Sequence, residues 1–308
     1  MSPLREALQD YLDVRRAVGF RLVQHTQLLA ALVTDLEIAG ATTLTTEAAL
    51  AWATKPAGVD PARWAVRLGM ARGFARYLQV LDPATEVPST DLLPRRARRQ
   101  EPFIYSEAQI NALLTAAGAL RAPLRAATLT TLIGLLAVTG MRPGEALRLD
   151  RSDLDAAGGL LTIRDSKFRK SRELPLHPST VAALAGYAQT RDELSPRQKT
   201  SRLFVSLAGT ALIHTNVDRT FQGLVARAGL DCGDSRRSPR LHDLRHSFAV
   251  KTVVGWYQAG VDVDARMALL STYMGHAEPA NTYWYLSAVP ELLVMAAQRL
   301  ERSKEQRS

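Results

Sequence analysis

The sequence predicts a mainly α fold with a small antiparallel β-sheet, divided into two domains. Three observations carry that prediction. The 308 residues leave room for two cores at about 150 residues per domain. Apolar residues recur at three- and four-residue spacing through most of the chain. Only residues 160–164 and 172–176 alternate with a period of two. At 46% hydrophobic and 22% charged residues, the composition excludes a disordered or fibrous chain.

Residues 1–94 read as a small helical bundle. Leu4, Leu8, Tyr11 and Leu12 share one helical face, and Leu28, Leu29, Leu32 and Leu36 share another before Gly40. Asp60-Pro61 supplies an N-cap and a first-turn proline ahead of Trp64, Leu68, Ala71, Ala75 and Leu78. Residues 95–101 hold Arg95, Arg96, Arg98 and Arg99 between Pro94 and Pro102, a composition that favours an extended, hydrated linker. Residues 102–308 open with the capping-box pattern Ser106-Glu107-Ala108-Gln109, which leads into a helix ending near Gly118. Another apolar helix is expected over 123–138, and the two alternating runs form a hairpin with 165–171 at its tip. Further helices are predicted over 179–190, 216–228, 240–257, 263–273 and 290–303.

Charge separates the two parts. The chain carries 39 Lys+Arg against 30 Asp+Glu, a formal +9, and residues 1–94 hold only 9 basic against 10 acidic residues. The remainder therefore holds 30 against 20, which points to a polyanionic partner for that part. The longest apolar stretch, near 126–138, is interrupted by Thr128, Thr130 and Thr131 and falls short of a membrane span. Glu6 and Asp10 break up the N-terminus, so no secretory signal is read and the protein is expected in the cytoplasm. The single cysteine, Cys232, cannot form an internal disulfide and has no activating neighbour in sequence.

Four short motifs carry chemistry. In Thr139-Gly140-Met141-Arg142-Pro143-Gly144-Glu145, Pro143 suits the first position of a new helix, and Arg142 stands where an anion could meet a guanidinium and a helix N-terminus. His242-Asp243-Leu244-Arg245-His246 places an imidazole and a bidentate cation three residues apart. Leu270-Ser271-Thr272-Tyr273-Met274-Gly275-His276 is followed by Tyr283 and Tyr285; a tyrosine phenolate attacking phosphorus needs such cations and a proton acceptor. The hairpin tip carries Lys167, Arg169 and Lys170, where a lysine could protonate a leaving alkoxide. Read alone, each motif also fits a surface cation, a satisfied core histidine or a packed aromatic. His242 and His246 loosely echo a zinc-binding pair, but Asp243 replaces the needed Glu, Arg245 would sit beside the metal, and no third ligand follows.

In their order and spacing these boxes resemble the tyrosine recombinases, the phage integrase family. The resemblance covers about residues 102–303 as a mixed α/β catalytic domain, and the helical residues 1–94 are similar in architecture to that family's core-binding domain. Position by position, it implies that Arg142, Lys167, His242, Arg245, His276 and Tyr285 are catalytic, with Glu145 in support. Lys167 is preferred to Lys170 because it falls five residues before Arg172, which opens the Arg-Glu-Leu-Pro-Leu closing strand. Tyr285 is preferred to Tyr283 because it follows His276 by nine residues. The resemblance further implies double-stranded DNA as the partner, contacts from Arg95, Arg96, Arg98, Arg99, Arg169 and Lys170, a homotetramer on paired sites, and chemistry without metal or other cofactor. The apolar-faced segment 290–300 suits docking in cis or in trans, and the arm-site domain of some phage integrases is not expected. Competing readings are an accessory DNA-binding relative, a type IB topoisomerase and, from a different class, a zinc hydrolase.

Overall fold

The structure is a computed structural model that describes residues 2–20, 22–94, 102–164, 171–230, 238–275 and 282–283. It divides into two compact units, residues 1–100 and 101–308.

Among the described residues, unit one holds four helices: α1 (Pro3–Ala17), α2 (Val23–Ile38), α3 (Thr46–Thr54) and α4 (Pro61–Leu81). Local chemistry sets three of their starts. The Ser2 hydroxyl accepts from the Arg5 amide ahead of Pro3, Thr45 caps α3 through the Ala48 amide, and the Asp60 carboxylate accepts from the Ala62 amide at 2.8 Å. The predicted apolar faces of α1, α2 and α4 meet, with Leu12, Leu29, Leu32, Leu68 and Phe74 buried in one core. Trp64 is the exception on its face: half-buried, it donates its indole N–H to the Pro56 carbonyl. Sequence reading gave α3 no place, although Trp52 and Ala53 bury into the same core and the Arg67 guanidinium lies 3.9 Å from the Trp52 ring centre.

Unit two is helical around a three-stranded antiparallel sheet of order β1-β2-β3. The capping box at Ser106 and Gln109 opens α5 (Glu107–Gly118), and α6 (Pro123–Thr139) follows. The four-residue α7 (Pro143–Ala146) leads to β1 (Leu154–Asp155), β2 (Leu160–Ile163) and β3 (Arg172–Pro175). The hairpin pairs Leu161 with Leu174 and Ile163 with Arg172. Two-residue β1 was not predicted, because alternation cannot be read in so short a strand. Four helices complete the described unit: α8 (Pro178–Leu194), α9 (His214–Arg227), α10 (Asp243–Gln258) and α11 (Val263–Met274). Helix α10 starts later than the predicted 240, because the Asp243 carboxylate accepts from the Arg240 amide and closes a turn before it. The main core joins α5, α6, the hairpin, α8 and α9, and a second apolar cluster lies between α10 and α11. Among the described residues no helix is long and apolar enough to cross a membrane.

Candidate active site

The site is organised by the C-terminal end of α11. Its last carbonyls lack partners within the helix and carry the negative end of the helix dipole, so they attract cations. Three successive carbonyls each accept from a different arginine. Tyr273 O takes Arg172 Nε at 3.0 Å, Met274 O takes Arg245 Nη2 at 2.8 Å, and Gly275 O takes Arg142 Nη2 at 2.7 Å. The arginines come from β3, α10 and the residue before α7, so one turn of backbone gathers three distant parts of the unit. His276 follows Gly275 directly.

Two glycines make this approach possible. Gly275 caps α11 at φ +68, and a Cβ there would lie 2.7 Å from Arg172 Nη1. Gly140 ends α6 at φ +59, and its carbonyl accepts from Arg245 Nη1 at 2.7 Å. A Cβ on Gly140 would stand 2.3 Å from Phe248 Cδ1, in a ring that stacks on Tyr273 with centroids 5.7 Å apart. Gly140→Ala is therefore expected to cost about 2–4 kcal/mol, from left-handed backbone strain plus overpacking, measured by urea unfolding.

Glu145 is the carboxylate of the cluster. It is 3% exposed and accepts from Arg142 Nη1 at 2.8 Å and from the Arg142 amide at 3.0 Å. It also accepts from Arg172 Nη2 at 2.8 Å and Nη1 at 3.2 Å. Burial pushes its carboxyl up, but the hydrogen bonds and charge of Arg172, with the amide and charge of Arg142, outweigh burial and hold it at about 2. The sequence reading offered an anion both the Arg142 guanidinium and a helix N-terminus. Glu145 already occupies the Arg142 amide and α7 is a single turn, so Arg142 offers its guanidinium, with 26% of the side chain exposed.

Arg245 is 2% exposed and spans the ends of α6 and α11 through its two carbonyls. His242 is half-buried at the N-cap of α10, its ring 5.0 Å from that of His246 and edge-on to it. Asp243 is engaged by Arg240 at 2.8 and 3.1 Å, and among the described residues no group of three His, Cys, Asp or Glu could hold a metal ion. Burial pushes the Tyr273 phenol up against the opposing charge of Arg172. Tyr283 is 43% exposed.

The structure thus brings together Arg142, Glu145 and Arg245, and places His242 at the N-cap of the Arg245 helix. Lys167, Arg169, Lys170, His276 and Tyr285 lie outside the described residues, as do Arg95, Arg96, Arg98, Arg99, Cys232 and the segment 290–303. The sequence reading assigned Arg172 no part in the site. The signal was available, because Arg172 precedes Leu174 by two residues and so shares the core face of its strand. A guanidinium on a core face calls for a buried carboxylate.

This chain is similar to known proteins over its whole length. The pattern of the Phage integrase family matches residues 104–291. A Sinorhizobium fredii protein that bears the name integrase/recombinase y4rB is 43% identical over 314 aligned positions that cover all of both chains. The tyrosine recombinase XerD of Caulobacter vibrioides is 29% identical across 78% of this chain and 75% of its own. In fold, the chain matches the Tn1549 transposon integrase in complex with transposon right end DNA, at a TM-score of 0.65 and 16% identity, over 96% of this chain and 98% of that one. The relatives are recombinases by name, which favours recombination over the accessory and topoisomerase readings. With three arginines gathered on one helix end and these matches spanning the same residues, the chain belongs to the phage integrase family and is a site-specific tyrosine recombinase, an enzyme that breaks and rejoins DNA strands.

Proposed function

We propose that the chain exchanges DNA strands by metal-free phosphoryl transfer to Tyr285, in a site built on the end of α11. The convergence of Arg172, Arg245 and Arg142 on three successive carbonyls is the observation that supports this most. With Glu145 as the one carboxylate among these four side chains, the group keeps a net charge of +2, suited to a phosphodiester anion.

In this reading Arg142 and Arg245 bind the nonbridging oxygens, and Glu145 orients Arg142. The Tyr285 phenol oxygen attacks phosphorus while the bond from phosphorus to the 5′ oxygen breaks. His242 and His276 receive the phenolic proton and add hydrogen bonds, and Lys167 protonates the departing oxygen. A 3′-phosphotyrosyl bond and a 5′-hydroxyl result. One phosphoester has replaced another, so a 5′-hydroxyl from a second strand reverses the step without a nucleotide or magnesium.

Residues 1–94 serve as the core-binding domain, and Arg95, Arg96, Arg98, Arg99, Arg169 and Lys170 neutralise backbone phosphates. Exchange between two duplexes cuts four strands, and one nucleophile per chain calls for a homotetramer on paired sites, working in the cytoplasm where the DNA lies.

The test is covalent trapping. The protein is mixed with sheared DNA of its source genome in EDTA and denatured in SDS, and linked fragments are sequenced. Linkage at a recurring sequence is expected. Failure to trap DNA even on nicked substrates that block rejoining would favour an accessory DNA-binding protein. Linkage without a recurring sequence, together with relaxation of arbitrary plasmid, would favour a topoisomerase.

A further inference from the structure

We propose that Arg172 is a positioning residue of the strand-transfer site: its guanidinium fastens Glu145 to the end of α11 and so sets the direction in which Arg142 presents its own guanidinium. The inference rests on the reading of Arg142 as a phosphate ligand.

The geometry is that of a clamp. Arg172 uses Nη1 and Nη2 on the two oxygens of Glu145 and Nε on the Tyr273 carbonyl, so one planar group spans α7 and α11 from β3. Glu145 in turn holds Arg142 at its amide and its guanidinium. Without Arg172, Glu145 keeps Arg142 as its one ion-pair partner among the described residues and loses its link to the α11 end. Arg172 spends Nε, Nη1 and Nη2 on the Tyr273 carbonyl and Glu145, whereas the Arg142 guanidinium holds Glu145 through Nη1, so of the two partners of Glu145 Arg172 is the one placed to brace. Gly275 fits the same account, since the approach of Arg172 leaves no room for a Cβ in the turn that precedes His276. Because Arg172 opens β3, the clamp also ties the start of that strand to the same turn.

A charge consequence separates positioning from mere stability. Glu145 faces Arg142 from before α7 and Arg172 from β3; Arg245 of α10 and Tyr273 of α11 bind or form the same turn. Removing Arg172 leaves the burial of Glu145 opposed by one guanidinium instead of two, so its carboxyl takes up a proton at higher pH. A protonated Glu145 no longer orients Arg142 as an anion, and the acid limb of cleavage moves upward.

The experiment follows cleavage of a nicked duplex carrying the site recovered by trapping, across pH, for wild type, Arg172→Gln, Arg172→Lys and Arg142→Ala. Duplex binding is measured on the same preparations. Arg172→Gln is expected to cleave about 10²-fold more slowly with binding unchanged and the acid limb shifted upward. Arg172→Lys keeps the charge without the fork, so it recovers part of the rate and returns the limb towards wild type. Wild-type cleavage by Arg172→Gln, or slowing only in proportion to lost folded protein with the limb unmoved, would overturn the clamp. If Arg172→Gln fails to fold, Arg172→Lys decides: slowed cleavage with intact binding supports the clamp, and full cleavage overturns it. Slow Arg142→Ala beside fast Arg172→Gln rejects the clamp alone, whereas fast Arg142→Ala rejects the site assignment beneath it.

Discussion

Replacing Arg245 with alanine is expected to slow strand cleavage by about 10²–10³-fold and to destabilise the catalytic unit by about 3–5 kcal/mol. The two losses share one cause. Arg245 is 2% exposed, and its guanidinium joins Gly140 O at the end of α6 to Met274 O at the end of α11. Truncation removes two charge-assisted hydrogen bonds and leaves both carbonyls without that donor. It also loosens the turn that precedes Arg142 from the turn that precedes His276. Arg245→Lys keeps the charge but cannot span both carbonyls with a planar fork, so most of the rate loss should persist. Single-turnover cleavage beside urea unfolding checks both effects; wild-type stability in Arg245→Ala would show that these bonds do not hold the unit together.

Glu145→Ala is expected to cost about 3–5 kcal/mol, because it leaves two largely buried guanidiniums without their shared carboxylate. The cost should depend on pH in a defined direction. The Glu145 carboxyl sits at about 2 in the folded chain against an ordinary 4.5, so its ionised form stabilises the fold above the ordinary value. That contribution, on the order of 3 kcal/mol by linkage, is lost as pH falls from about 4.5 towards 2. The gap between wild type and Glu145→Gln should therefore be widest near neutral pH and close through that window, read from urea midpoints in a pH series. Glu37 in unit one is also held at about 2, by its hydrogen bonds from Arg5 and Ser2, but it is common to both proteins and cancels in the difference. A gap that stays constant down to pH 2 would contradict the ion-pair account.

Where a sequence signal was local, it anticipated the structure closely. The apolar face of α1, the proline-opened start of α4, the capping box of α5 and the alternation of the hairpin each depend on residues a few turns or one strand apart at most. Helix α3 and strand β1 escaped because nine and two residues give too short a period to stand out. The site divides in the same way. Arg142, Glu145, His242 and Arg245 sit in compact boxes that can be read in order. The part of Arg172 depends on contacts 27 and 101 residues apart in sequence, which only the folded hairpin creates. Its place on the core face of β3 was the one local hint. Helix α10 shows the limit from the other side: an apolar pattern marked the helix, but the Asp243 bond to the Arg240 amide set where it begins.

In the proposed mechanism a covalent bond joins DNA to Tyr285. The most direct measurement digests the trapped complex with nuclease and trypsin and fragments the peptide of residues 267–299, which holds Tyr273, Tyr283 and Tyr285 together. A residual nucleotide is expected on Tyr285, formed in EDTA and absent from Tyr285→Phe. A nucleotide on Tyr283 or Tyr273, or an adduct that survives in Tyr285→Phe, would contradict it.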